Sequence, residues 1–253
     1  MPAEVNSVNE EIRNEAKKVL ESKTGIEKVK YFVYYYKWWV IGITVAALIV
    51  GSLVHDFVTR KESVFQVVIC NGEYSEYYDY NSLIEGFAAG IEYDHDKEEI
   101  NIDPGTHVDV HATDQTSQVT IQKVFLYVAA QELDVLVCDK DFVDLACGQD
   151  CGYDMEEILP ADMLEKYRDN LYWFDTAVIV ANDFMDPKEA EEEVAKIKEE
   201  ERYKAFAINV SDFYKVKETK MFPYTDGEAY ALIPANTQHL ENAIEFLRYL
   251  DRP

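Results

Sequence analysis

Residues Asp134 to Cys147, DVLVCDKDFVDLAC, carry the reading of the fold. Val135 to Cys138 is an apolar run too short for a helix, as expected of a strand covered on both faces. Asp139-Lys140 turns the chain, and a helix is expected to start over Asp141 to Cys147. The same unit recurs upstream. Val64 to Cys70 (VFQVVIC) is a β-branched run suited to a buried strand, Asn71-Gly72 is turn-like, and Tyr80 to Ile91 reads as a helix.

Between these units, Thr106 to Ala112 alternates as a strand and Gln115 to Gln131 reads as a helix. Downstream, helices are expected at Ala161 to Arg168 and Pro187 to Tyr203, the second a surface helix of mixed charge (EAEEEVAKIKEEER). Ala229 to Ile233 makes a closing strand and Pro234 stops it. Asn236 or Thr237 can cap a helix that places Leu240, Ala243, Ile244, Leu247 and Leu250 on one face. Apolar strands alternating with helices predict an α/β domain over residues 62–253, built on a largely parallel sheet.

Ahead of that domain, Trp38 to Val54 (WWVIGITVAALIVGSLV) runs for seventeen residues without a charge, and Phe57 and Val58 extend it past His55 and Asp56. A bilayer span needs about 20 apolar residues. The flank supplies Tyr34, Tyr35, Tyr36, Lys37, Trp38 and Trp39, rings and an ammonium suited to the headgroup zone. The segment therefore predicts an aromatic flank and transmembrane helix over 31–58, with the lipid bilayer as partner of 38–58. Lys23, Lys28, Lys30 and Lys37 before the span, against Arg60 and Lys61 after it, place the N-terminus in the cytoplasm and the C-terminal domain outside the cell. The long charged segment before the apolar run favours an uncleaved signal anchor over a cleaved signal peptide. Residues 1–30 read as a charged helical lead-in with a partial apolar stripe. Within the span, Gly42 with Ala46 and Ala47 with Gly51 have the spacing of close helix contacts.

Charge divides at the same boundary. Residues 1–60 hold 8 Lys+Arg and 7 Asp+Glu, whereas residues 61–253 hold 16 and 42, a net of −26. So acidic a domain repels phosphate backbones, which argues against nucleic acid and suits cationic or neutral partners.

Catalytic signatures are missing: there is no Gly-rich phosphate loop, nucleophile elbow, His-Glu-x-x-His or Cys-x-x-Cys pattern. No enzyme activity and no cofactor are expected. His107, Asp109 and His111 would share one face of a strand and could hold zinc, but no fourth ligand stands at a diagnostic spacing, and a polar strand face explains the same pattern without metal. Cys147 and Cys151 bracket three residues and could close a small disulfide loop. Cys70 and Cys138 each end a buried strand, as a bridged pair or as two apolar thiols.

The segment AYALIPANTQHLENAIEFLRYL (Ala229 to Leu250) resembles the closing strand, Pro-x-Asn turn and amphipathic helix of bacterial extracellular solute-binding proteins. DVLVCDKDFVDLACGQDCGYDMEEILP (Asp134 to Pro160) is similar to a strand, charged turn and helix of the same periplasmic-binding-protein-like family. The layout also resembles uncharacterised single-pass membrane proteins of Gram-positive bacteria. The resemblance implies a small member of that family on a membrane anchor, shorter than the usual two-lobed form. Ligands of such α/β folds sit beyond the carboxyl ends of the strands, which singles out Asn71, Glu73, Tyr74, Asp139, Lys140, Tyr224 and Asp226. Capture of a small molecule or peptide follows as the expectation, with a membrane protein such as a transporter as partner. The alternative is an envelope interaction protein that keeps the fold without a cleft.

Overall fold

The computed structural model describes residue 14 and residues 25–35, 37–59, 61–72, 80–184, 186–222 and 228–253. The chain divides into two units, Met1–Arg60 and Lys61–Pro253.

In the first unit, helix α1 (Gly25–Tyr35) precedes α2 (Lys37–Thr59). The 23 residues of α2 extend roughly 34 Å at 1.5 Å per residue. Over Lys37–His55 the mean hydropathy is 1.9 and none of the described side chains is buried, so α2 is long and apolar enough to cross a membrane. Trp38 and Trp39 are exposed at its start, where the Lys37 ammonium lies 5.6 Å from the Tyr34 ring and 5.8 Å from that of Trp38. Tyr36 falls outside the described residues.

The second unit holds, among its described residues, a six-stranded sheet in the order β2-β1-β3-β6-β5-β4. Its strands are β1 (Glu62–Cys70), β2 (Glu98–Thr106), β3 (Val135–Cys138), β4 (Leu171–Asp175), β5 (Tyr203–Asn209) and β6 (Tyr230–Leu232). Helices α3 (Tyr80–Ala88) and α4 (Gln115–Ala129) carry the chain from β1 to β2 and from β2 to β3. Next come α5 (Lys140–Gly148), α6 (Met155–Ile158) and α7 (Ala161–Tyr167), which lead to β4, then α8 (Thr176–Asn182) and α9 (Pro187–Val194), which lead to β5. Helix α10 (Tyr214–Thr219) precedes β6, and α11 (Leu240–Leu250) closes the chain.

Alternate side chains of the central strands feed two cores. Phe65, Val67, Ile69, Val135 and Val137 pack with Leu83, Phe87, Phe246 and Leu247 on one face. Val68, Cys70, Leu136 and Cys138 pack with Val124, Phe142 and Phe206 on the other. All four residues of β3 are buried, which is why it reads as a continuous apolar run.

The largely parallel sheet expected from the sequence is corrected to a mixed one. Strands β2, β1 and β3 are mutually parallel, but β3–β6, β6–β5 and β5–β4 are antiparallel. An apolar run reports burial on both faces and not strand direction, and β6, inserted between β3 and β5, is buried and reversed. Two other expectations change. The strand placed at Thr106 to Ala112 ends where it was to begin, because β2 is Glu98–Thr106. The helix expected over Pro187 to Tyr203 stops at Val194, and Tyr203 opens β5. All four cysteines are free thiols, Cys147 and Cys151 included. Cys70 and Cys138 end neighbouring strands, and burial pushes both thiols well up.

Candidate functional site

Strand directions bring the carboxyl ends of β1, β2, β3 and β5 and the amino ends of β4 and β6 to one end of the sheet. There, a cleft of about 560 Å³ opens between Asn71, Gly72, His107, Asp109, Asp139 and Asp141, beside Val108 and Val110.

Asn71 ties the rim together. Its backbone is left-handed at φ 61°, a conformation that Asn tolerates, and its N–H donates to the Thr106 carbonyl at 2.8 Å. Its side-chain Nδ2 donates to Asp139 Oδ2 at 2.7 Å, and its Oδ1 accepts from Val108 N at 2.8 Å. The other Asp139 oxygen caps α5 by accepting from Phe142 N at 3.0 Å. One amide thus joins the ends of three parallel strands. This places Asn71 and Asp139 together, as expected of two cleft residues, and also commits much of their hydrogen-bonding capacity to architecture.

The rest of the rim is acidic. The Asp141 carboxylate is exposed at the start of α5, 3.5 Å from His111 Nε2. Asp109 accepts the His111 N–H at 2.8 Å and folds residues 109–111 into a turn, so His107, Asp109 and His111 do not share a strand face. Among the described residues no group of three His, Cys, Asp or Glu side chains is placed to hold a metal ion.

Lys140 does not offer a free charge to the cleft. Its Nζ donates to Asp144 Oδ2 at 2.7 Å and to the Tyr172 hydroxyl at 3.2 Å, and the Tyr172 hydroxyl also donates to Asp144. The Asp144 hydrogen bond holds the Lys140 ammonium well above its usual range. Burial, followed by the bond to Asp144, pushes the Tyr172 phenol up to about 12. Tyr172 packs edge-on against Tyr230, centroids 4.9 Å apart, and Tyr230 pairs with Cys138 at the start of β6. Asp144, Tyr172 and Tyr230 were missed from sequence. The Lys140–Asp144 spacing of four within a helix was the available signal.

Glu73, Tyr74, Tyr224 and Asp226 lie outside the described residues. The residues that flank them come together, because a side chain built on Gly72 would put its Cβ 3.4 Å from the Met221 carbonyl oxygen. A second hollow of about 580 Å³ lies near Thr176, Ile179, Lys196 and Lys204, by the amino end of β5. Lys196, on its wall, is paired with Glu193.

Comparison of the chain with protein-family models, curated proteins and solved structures gives no match.

Proposed function

We propose that this chain is a membrane-anchored, non-enzymatic binding module whose outer domain captures a small solute or short peptide bearing a positive charge. The cleft at the carboxyl ends of β1, β2 and β3 carries the reading. It has the volume of a small-molecule site, lies where α/β crevices form, and has Asp109, Asp139 and Asp141 on its rim. The −26 charge of residues 61–253 raises the local concentration of cations and disfavours nucleic acid. The length and apolar composition of α2, its exposed Trp38 and Trp39, and the excess of lysines before it support a single bilayer span with the C-terminal domain outside the cell. A membrane transporter is the natural recipient of a captured solute.

A different observation favours a second reading as an envelope interaction protein. Asn71 and Asp139 already satisfy one another, and Lys61–Pro253 forms one compact unit in which the described residues supply no second lobe to close over the cleft.

Thermal unfolding of the full chain in detergent micelles, against polyamines, basic amino acids, basic and neutral peptides and sugars, separates the two. A bound cation at about 100 times its Kd adds roughly 2.7 kcal/mol to stability. The binding module requires a melting shift from cationic compounds that is lost in an Asp109→Asn, Asp141→Asn double variant. A melt that no compound moves leaves the interaction protein.

A further inference from the structure

We infer that the cleft selects amines that carry no carboxylate, and that Asp144 and Tyr172 set this selectivity by holding the Lys140 ammonium away from it. The inference rests on the cleft being the binding site and names its ligand class, a diamine or a guanidinium-bearing amine as opposed to a basic amino acid. A site for a free amino acid needs a cation for the ligand's carboxylate as well as an acceptor for its amine. Here the acceptors are in place and the cation is not. Asp109, Asp139 and Asp141 line the cleft, the Asn71 amide donates to Asp139, and no Lys or Arg is among the described residues of the lining. Residues 73–79 (EYSEYYD) and 223–227 (PYTDG) contain no Lys or Arg. His107 and His111 bring a positive charge only when protonated.

Lys140 is the cation that the chain places nearest to this role, since it stands between Asp139 and Asp141. Its ammonium turns elsewhere. Nζ meets Asp144 Oδ2 at 2.7 Å, one turn further along α5, and the Tyr172 hydroxyl at 3.2 Å, across on β4. The Tyr172 hydroxyl donates to Asp144 Oδ1, so both oxygens of that carboxylate are engaged and the three groups close on one another. The acidity of the rim is thereby left without a compensating Lys140. An ammonium or guanidinium entering the cleft meets complementary charge, whereas a ligand carboxylate meets like charge, which is strongly unfavourable.

Titration calorimetry of the full chain in detergent micelles, at about pH 8 and about 0.15 M salt, compares cadaverine with lysine and agmatine with arginine, pairs that differ by one carboxylate. Each amine should bind about tenfold or more tightly than its amino acid. Asp144→Ala combined with Tyr172→Phe frees Lys140 and should shrink that ratio by about threefold or more. Glu192→Gln, an equal change of net charge on α9, should leave it within about twofold. Amino acids that bind the parent chain as tightly as the amines overturn the inference and leave the cationic reading of the cleft standing. A parent chain that binds none of the four overturns it together with the small-solute reading. A ratio that the double variant leaves unchanged overturns the role of Asp144 and Tyr172; the comparison on the parent chain decides the ligand class even where that variant does not fold.

Discussion

Replacing Asp139 by Ala removes both functions of one carboxylate, the cap on α5 and the acceptor for Asn71. The loss of a cap costs about 1 kcal/mol. The Asn71 bond ends on an ionised acceptor at 2.7 Å and is half-buried, which puts it near the lower end of charge-assisted bonds, about 1–1.5 kcal/mol. Together these give a destabilisation of about 2–2.5 kcal/mol, or roughly a 1 M fall in urea midpoint for a domain of ordinary denaturant sensitivity. Asp139→Asn keeps the cap but turns an amide toward Asn71, so about half the loss should remain.

Urea unfolding of the full chain in micelles, followed by circular dichroism, reads these values, and a double-mutant cycle with Asn71→Ala isolates the shared bond. The double variant should cost about 1 kcal/mol less than the sum of the singles. Strict additivity, or an Asp139→Ala loss under about 0.5 kcal/mol, would refute the reasoning. If that small loss came with a vanished ligand response, Asp139 would be a binding group that the fold does not need.

Three further outcomes follow from the same structure. Phe246 is fully buried against Phe65 (5.6 Å) and Phe87 (5.0 Å), so Phe246→Ala should cost about 3–5 kcal/mol in the same unfolding assay. The buried Asp134 carboxylate accepts from Gln66 N at 2.8 Å and from Thr237, and lies 3.1 Å from His239 Nδ1. Asp134→Ala leaves these groups without it and should cost about 3 kcal/mol or more, measured as a fall in melting temperature. The folded Tyr172 phenol, held up to about 12, keeps its proton above the pH of about 10 at which an unfolded tyrosine loses it. Its contribution to stability is complete below pH about 10 and is lost as pH rises toward 12. Burial also raises the Tyr167, Tyr230 and Tyr249 phenols, so ultraviolet titration should show a late tyrosinate component from which Tyr172→Phe removes the equivalent of one tyrosine near pH 12.

Strands buried on both faces were legible as strands. VFQVVIC and DVLVC could be little else, and the α11 stripe of Leu240, Ala243, Leu247 and Leu250 announced a docked helix. Edge and alanine-rich strands were not. In β2 the apolar signal reduces to Ile100 and Ile102 among charges and a Pro-Gly pair, and β5 (YKAFAIN) uses alanines that favour helices equally well. The positions of Asn71 and Asp139 on the cleft rim were legible because each directly follows a buried strand. Their mutual bond was not, since it depends on the alignment of β1 with β3, which no local pattern encodes. Lys140 was legible as a turn cation and its pairing with Asp144 as an i,i+4 spacing, but the hydroxyl that joins the pair belongs to Tyr172, 32 residues away on an edge strand.

The reversal of β6 is what gives the site its extent. Were β6 parallel to β3, the chain would enter it at the far end of the sheet. Antiparallel insertion brings Tyr230, the first residue of β6, beside Cys138 and Asn209, so Met221 and Phe222 approach where β1 ends. Gly72 records how close that approach is, because a Cβ there would fall 2.6 Å from Ile69 Cγ2 as well as 3.4 Å from the Met221 carbonyl. Gly72 and Met221 therefore meet at one end of the sheet, the end where Asn71 and Asp139 lace the cleft. A parallel sheet would have divided these features between opposite ends. The mixed sheet gathers every part of the candidate site that the described residues contain onto a single rim.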